Sequence, residues 1–381
     1  MAIHPSPLDL VSSPLPEHWT RLVDLTAQLP PSVQDYNASN PASPITLLGK
    51  CEFANPGMSH KDRIAKVMLQ RAEARGDLVA PDGSKKTILA ASSGNTGCSL
   101  ALIGTLMGYE VVIITNAKCS AEKQTHIRSN GATLWLAETL PAQFPKELGV
   151  VTDYMEQERI LSEAFPDKYY SVDQYNNADN MDAHKSTTGR EIWEQTGGKV
   201  THFCMSSSTG GTIQGVGSYL KEKRGDVEVV LADPEKSRLR GLLEEQRDPE
   251  AGKILLGAVE AQIKAEGGGV KVEGAGKEAL TALMCPPATG KVFEFVDYAI
   301  DVNDFDAFDA CRETAAAGLL VGGSAGANIC ASKIIAAKAA TEAPREGGVT
   351  IVTLLCDHGI KYLSKIFNDD WIRKNDNRAK M

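Results

Sequence analysis

The feature that most constrains the fold of this 381-residue chain is a repeated order of segments: an apolar run, a loop rich in glycine, serine and threonine, and then a helical pattern. Residues 111–114 (VVII) are apolar at every position, which suits a strand buried on both faces of a parallel sheet. Strands that alternate with helices predict an α/β architecture. Two such sets predict two doubly wound domains.

Three of these loops lie at residues 92–97, 206–212 and 322–327. The first, SSGNTG, offers hydroxyls, an amide and backbone N–H groups at a helix start, a combination suited to a carboxylate. The second, SSSTGGT, follows a strand and opens a helix, so it is a candidate phosphate cradle; no Gly-Lys-Ser/Thr follows, which excludes a Walker loop. Taken alone, each loop is equally consistent with a capped turn or, for GGSAGA, with close packing of small residues.

Residues 55–63 (NPGMSHKDR) place a lysine at the start of a helix. Asn-Pro-Gly favours a turn, Ser59 is a candidate N-cap, and apolar residues recur at helical spacing from residue 62 onward. In the first turn the helix dipole disfavours a positive charge on Lys61 and favours a neutral, nucleophilic amine. A lone lysine at a helix start is usually a solvated surface charge, so the interpretation depends on the other motifs.

In this order the four motifs resemble those of the fold-type II pyridoxal-phosphate (PLP) enzymes, in particular the cysteine synthase and cystathionine β-synthase family, from about Leu22 to Trp371. The resemblance implies an α/β fold of two doubly wound domains with parallel sheets, like the tryptophan synthase β subunit, with PLP in the cleft between them. It implies an N-terminal arm (1–43) packed on the C-terminal domain. An N-terminal α/β domain (44–168) would carry the lysine and a mobile substrate loop, and a C-terminal α/β domain (169–381) the phosphate loop.

The same resemblance implies roles for individual residues. Lys61 is the Schiff-base lysine and catalytic residue, Ser324 meets the pyridine nitrogen, and Asn95 contacts the 3′ oxygen of the cofactor. The phosphate contacts are Ser208, which replaces the usual first glycine, with Thr209, Gly210, Gly211 and Thr212. The substrate contacts are Ser92, where the family usually has threonine, with Ser93, Gly94, Asn95, Thr96 and Gln174. Asp357 belongs to the segment that borders the pyridine pocket. No metal site is expected.

A serine hydroxyl cannot fully protonate the pyridine nitrogen, which makes the ring a weaker electron sink and favours β-elimination over racemisation or transamination. The expected function is PLP-dependent β-replacement on an activated serine such as O-acetylserine, through an aminoacrylate, with sulfide or a thiol as nucleophile. The product would be cysteine or a related β-substituted alanine. Two alternatives stay open: cystathionine β-synthase activity on serine and homocysteine, and β-elimination of the serine/threonine dehydratase type. Intact Lys61, Asn95 and Ser324 argue against a catalytically silent binding protein.

One segment departs from the family pattern. Where a GIG segment is often followed by aromatic and proline residues, this chain has EGAGKE at 273–278. Lys277 and Glu278 are therefore either solvated surface charges or contacts to an unusual or charged second substrate.

Composition limits the partners and the compartment. A net charge of −9 without a basic run argues against a nucleic-acid or anionic-membrane surface, and no run approaches the ~18 apolar residues of a membrane helix. None of the eight cysteines has CxxC spacing, which favours reduced thiols over a disulfide framework or a zinc site. We expect a cytoplasmic protein, with an organelle left open, and no C-terminal regulatory domain. The resemblance implies a homodimer acting on small molecules.

Overall fold

Two largely parallel sheets organise the computed structural model, which describes residues 6–117, 119–139, 144, 148, 153–266, 269–376 and 378. The strands are β1 (Leu22–Asp24), β2 (Ile45–Lys50), β3 (Thr87–Ala91), β4 (Val111–Thr115), β5 (Thr133–Leu136), β6 (Tyr169–Ser171), β7 (His202–Ser206), β8 (Glu228–Pro234), β9 (Tyr298–Val302) and β10 (Val349–Leu354). The helices are α1 (Pro31–Ser39), α2 (Lys61–Arg75), α3 (Asn95–Leu106), α4 (Ala121–Ser129), α5 (Tyr154–Ala164), α6 (Ala178–Ala183), α7 (Arg190–Gln195), α8 (Gly211–Lys223), α9 (Leu239–Arg247), α10 (Pro249–Glu266), α11 (Asp304–Ala316), α12 (Gly323–Ala339) and α13 (Asp369–Asn375). A π-helical segment, His184–Gly189, joins α6 to α7.

The strand order confirms the predicted α/β fold with parallel sheets. The larger sheet has the order β1-β2-β10-β7-β8-β9, in which only the β1–β2 pair is antiparallel. The smaller sheet has the order β5-β4-β3-β6 and is parallel throughout. The apolar run 111–114 forms most of β4, which is buried at every position, as expected of a strand covered on both faces.

Helices cover both faces of each sheet. On the smaller sheet, α2 and α3 pack into one apolar core, and α5 packs into a second core with Trp135 and Phe144. On the larger sheet, α1, α11 and α12 contribute to one core and α8 and α9 to the other. None of the helices in the described part of the chain is long and apolar enough to cross a bilayer.

The assignment of strands to the two sheets does not match the predicted domain limits. β2 falls in the predicted N-terminal domain (44–168) but pairs with β10 in the larger sheet. β6 falls in the predicted C-terminal domain (169–381) but pairs with β3 in the smaller sheet. Parallel partners are distant in the chain, so local patterns do not show which strands pair. The limits at residues 44 and 169 therefore do not follow the sheets.

The N-terminal segment, predicted to pack on the C-terminal domain, joins the larger sheet and also contacts a helix beside the smaller sheet. Residues 1–5 lie outside the described residues. β1 joins the larger sheet, and α1 contributes Val33 to the core of that sheet. The part of the arm that precedes β1 is held by α2, because the Lys66 amine donates hydrogen bonds to the carbonyls of Leu8 (3.0 Å) and Val11 (2.7 Å). The early part of the arm is thus anchored to the smaller sheet's helices.

Candidate active site

The carboxyl ends of strands from both sheets meet around a cavity of about 680 Å³. Crevices in this position bind ligands in open α/β folds. The predicted site residues that line it are Lys61, Ser92, Ser93, Gly94, Asn95, Thr96, Gln174, Ser208, Thr209 and Ser324. Gly210, Gly211 and Thr212 form the beginning of α8, directly after the lining residue Thr209.

Lys61 is the first residue of α2 and lines the cavity. The cap position is His60, in helical conformation, rather than the predicted Ser59, although the Ser59 hydroxyl accepts a hydrogen bond from the Lys61 N–H at 3.3 Å. Met58 enters this turn with φ 59°, a conformation that costs a side-chain-bearing residue energy. Burial lowers the pKa of the Lys61 amine from its ordinary 10.5 to about 8. A substantial fraction of the amine is therefore neutral near physiological pH.

The loop after β3 presents hydrogen-bond donors to the cavity. The Ser92 hydroxyl accepts the N–H groups of Gly94 (3.2 Å) and Gly97 (3.0 Å), which orders the loop. The Thr96 hydroxyl and the Gln174 side-chain oxygen are hydrogen-bonded at 2.6 Å. Because the oxygen of the Gln174 amide is engaged, its NH₂ group is left to donate. The arrangement suits a carboxylate.

Asn95 is held by charged side chains from the segment after β10. Its Nδ2 donates to Asp357 Oδ2 at 2.7 Å, and its Oδ1 accepts from Lys361 Nζ at 2.9 Å. The Tyr362 hydroxyl donates to the same Asp357 oxygen at 2.6 Å, and Lys361 also donates to the Gly57 carbonyl at 2.9 Å. With Oδ1 engaged, the second N–H of the Asn95 amide is the group left to bind a ligand oxygen.

The start of α8 forms a cradle for an anion. Gly210 has φ 90° and caps the helix, so the N–H groups of the first turn and the helix dipole are directed at the loop. The Thr209 hydroxyl oxygen accepts from Asn180 Nδ2 (3.2 Å) and from the Gly211 N–H (3.3 Å), so its proton remains available to donate. The neighbouring Ser207 hydroxyl is buried and has no hydrogen-bond partner among the described residues.

Two buried histidines lie behind the lysine and the cradle. The His60 Nδ1 donates to the Cys356 carbonyl at 3.1 Å, and the His184 Nε2 is 3.1 Å from the Thr212 hydroxyl. Burial lowers the pKa of His60 to about 3 and that of His184 well below its ordinary value. Both rings are neutral at physiological pH, so they add no positive charge beside Lys61.

Ser324 lies in the first turn of α12, on the same cavity. Its hydroxyl is near the buried Cys356 thiol, whose pKa is raised to about 12 by burial and is only partly lowered by this contact. The thiol therefore stays protonated, and Ser324 remains a neutral hydrogen-bonding group.

A family model described as pyridoxal-phosphate dependent enzyme matches residues 30–357 of the chain. The chain belongs to this family of PLP-dependent enzymes. Cysteine synthase 2 of Schizosaccharomyces pombe is 32% identical to it over 337 residues, which cover 87% of this chain and 79% of that protein. Cystathionine beta-synthase of Mus musculus is 33% identical over 327 residues, which cover 86% of this chain and 51% of that one. The crystal structure of O-acetylserine sulfhydrylase isoform 3 from Entamoeba histolytica matches with a TM-score of 0.72 and 28% identity, covering 96% of this chain and 91% of that one.

The residues around the cavity of this PLP-dependent enzyme fit its cofactor. The Thr209 hydroxyl and the N-terminus of α8 supply donors for a phosphate. The Lys61 amine and the free Asn95 N–H line the same space. Within the described residues, no group of three or more His, Cys, Asp or Glu side chains is placed to hold a metal ion.

Several residues that complete the site are not among the residues predicted from the sequence. Lys361 and Tyr362 lie in a 3₁₀ turn after β10 and reach Asn95 and Asp357 only through the tertiary fold. Asn180 reaches Thr209 from the helical stretch before β7, and His184 lies four residues later on that stretch. Polar residues at this spacing share a helix face, which could have indicated a common target.

The charged pair 277–278 does not line the cavity. The Lys277 amine lies 4.2 Å from the centre of the Tyr175 ring, and Glu278 is exposed. Glu273 is the charged residue of this segment that lines the cavity. Of the two alternatives left open for Lys277 and Glu278, this placement favours surface charges over contacts to a second substrate.

Gly211→Ala should weaken cofactor binding by about tenfold, or ~1.4 kcal/mol. A Cβ at Gly211 would lie 2.1 Å from Asn180 Oδ1, so the start of α8 or Asn180 must shift and the phosphate donors with it. Equilibrium titration of the apoprotein with PLP measures the change. The matched control is Gly225→Ala, just after α8, where a Cβ meets no atom within 4 Å; equal effects in the two variants would contradict the cradle.

Proposed function

We propose that this enzyme catalyses β-replacement on an activated serine of the O-acetylserine type, giving cysteine or a related β-substituted alanine. The observation that carries the proposal is the placement of a lysine amine with a lowered pKa and a donor-lined carboxylate loop on one cavity. The names of the S. pombe and E. histolytica relatives support the same chemistry.

The residues divide this work between them. Lys61 holds the cofactor, and Ser324 and Asn95 bind the pyridine nitrogen and the 3′ oxygen. The phosphate is bound by Ser208, Thr209, Gly210, Gly211 and Thr212, and the substrate carboxylate by Ser92, Ser93, Gly94, Thr96 and Gln174. When bound, the cofactor withdraws electrons from the substrate α-carbon.

Lys61 is the group that moves the proton. Once the substrate amine has replaced it on the cofactor, the Lys61 amine, partly neutral near pH 8, would accept the proton from the α-carbon while the leaving group departs from the β-carbon with its electron pair. The nucleophile then forms the new bond at the β-carbon, and Lys61 returns the proton to the α-carbon. The donor loop holds the substrate carboxylate in place through both halves of the reaction.

The second candidate is the condensation of serine with homocysteine. The similarity to the mouse cystathionine beta-synthase supports it. It uses the same lysine and the same carboxylate loop and differs in the leaving group and the nucleophile.

Product analysis tests the proposal. The holoenzyme is incubated with O-acetylserine or serine, with and without sulfide or homocysteine, and the products are identified by mass spectrometry. Cysteine from O-acetylserine and sulfide is the expected result. Cystathionine from serine and homocysteine would favour the second candidate. Pyruvate and ammonia alone, without any new carbon–sulfur bond, would contradict β-replacement and indicate a lyase.

We also propose that the protein is a cytoplasmic homodimer. The family resemblance supports the dimer, and the absence of disulfides among the eight cysteines supports a reducing compartment. Light scattering after size-exclusion chromatography should give twice the mass of the chain.

A further inference from the structure

A cationic wall, built from side chains outside the carboxylate loop, also lines the cavity. Three lysines from separate parts of the chain line it: Lys123 on α4, Lys271 before the 273–278 segment, and Lys365 after β10. Among the described lining residues, the only carboxylate is that of Glu273. Positive charge therefore exceeds negative charge on this wall, in a partly enclosed space where charges are screened less than in bulk water.

Glu273 is shared between two of these lysines. One carboxylate oxygen pairs with Lys123, and the other is 2.6 Å from Lys365 Nζ. The two lysines differ in exposure: the Lys123 side chain is 1% exposed and that of Lys365 is 29% exposed. Lys123 also lies 4.4 Å from the centre of the Tyr362 ring. A buried ammonium without its carboxylate costs several kcal/mol, so Glu273 has to remain with Lys123.

Lys365, which can exchange its partner, and Lys271 are then the cations that a ligand can reach. Lys365 is partly solvated, so exchanging its share of Glu273 for another carboxylate costs little. The Lys271 amine lies 5.7 Å from the centre of the Phe305 ring, and Asp304 accepts its backbone N–H at 2.8 Å. Asp304 offsets part of the Lys271 charge but does not line the cavity.

We propose that the second substrate carries a carboxylate of its own and that Lys365 and Lys271 bind it. The inference rests on the proposed β-replacement and names the class of nucleophile that the site takes in preference to bare sulfide: a thiol or other nucleophile attached to an acid. The carboxylate of the donor substrate is bound by the loop after β3, so the wall is left for the incoming molecule. Glu273, which pairs with both Lys123 and Lys365, orients the Lys365 amine.

A thiol panel tests the site. The holoenzyme is first mixed with O-acetylserine alone, and the change in cofactor absorbance is recorded. Each thiol is then added, and the rate at which the absorbance returns to that of the resting holoenzyme is measured. This rate is divided by the concentration of the thiolate form. We expect 3-mercaptopropionate to react at least about tenfold faster than 2-mercaptoethanol, and this ratio to fall to about one in Lys365→Met and to decrease in Lys271→Met. Lys374→Met, which removes the same charge from an exposed position of α13, should keep the ratio.

The outcomes separate the inference from the function on which it rests. Equal rates for the two thiols, or a preference that survives in Lys365→Met, would overturn the carboxylate site. A preference for O-phosphoserine over O-acetylserine that depends on Lys365, without discrimination among thiols, would assign the anion to the donor and also overturn it. If O-acetylserine causes no absorbance change, the proposed reaction fails. Titration calorimetry then tests the carboxylate site independently of the reaction. The proposed site requires that 3-mercaptopropionate bind more tightly than 2-mercaptoethanol and that this difference be lost in Lys365→Met.

Discussion

Lys61→Ala is expected to lose covalent attachment of the cofactor and to lower turnover by about 10²–10⁴-fold or more, the contribution of a single proton-transferring group. The expected loss follows from its position, because Lys61 begins α2 on the cavity and burial brings its pKa to about 8. Borohydride reduction of the holoenzyme followed by peptide mass spectrometry locates the attached cofactor. Steady-state assays measure the turnover.

The matched control is Lys66→Ala on the same helix. The Lys66 amine points to the carbonyls of Leu8 and Val11 and does not line the cavity, so this variant should keep the label on Lys61. The rate of cofactor uptake by the apoprotein should rise with pH as the Lys61 amine loses its proton and level off above about pH 8. A label on another lysine, or an uptake rate that still rises toward pH 10.5, would contradict the assignment.

Arg63→Met is expected to lower the free energy of unfolding by about 3–5 kcal/mol, the cost of removing one partner from a buried ion pair. Arg63 donates to Glu52 (2.7 Å) and to Glu191 (2.6 Å), and Lys50 is 2.7 Å from the other Glu191 oxygen. All four side chains are at most 2% exposed. Burial alone would raise the pKa of Glu52, but the charge and hydrogen bonds of Arg63 outweigh it and lower that pKa below its usual range. Without Arg63, two buried carboxylates would share one lysine.

Urea unfolding of the apoprotein measures this loss. Arg159→Met is the control, since Arg159 forms ion pairs with Glu156 and Glu163 on the exposed face of α5 and should contribute no more than about 1 kcal/mol. Equal losses in the two variants would show that burial does not decide the strength of these pairs. The cluster links β2, α2 and α7, so the variant should also weaken the support beneath Lys61.

Local patterns were sufficient where the structure depends on neighbours in the chain. The run 111–114, the glycines at the start of α8 and the polar loop after β3 each show their conformation in their own residues. The stretch before β2 is an exception, because proline and asparagine favour turns. Its proline- and asparagine-rich sequence forms α1, since Pro31 is compatible with the first turn of a helix and Val33 packs on the larger sheet.

Periodicity, turn residues and helix starts in the sequence determined the α/β class, the order of its elements and the loops that surround the cavity. These features depend on interactions within a few residues, which a local pattern records. Only the tertiary structure decided that β2 pairs with β10, that Lys361 orients Asn95, and that Glu273 rather than Lys277 brings charge to the cavity. Each of these contacts joins segments far apart in the chain, and their free energy comes from the packing of whole sheets and helices, which no local pattern contains.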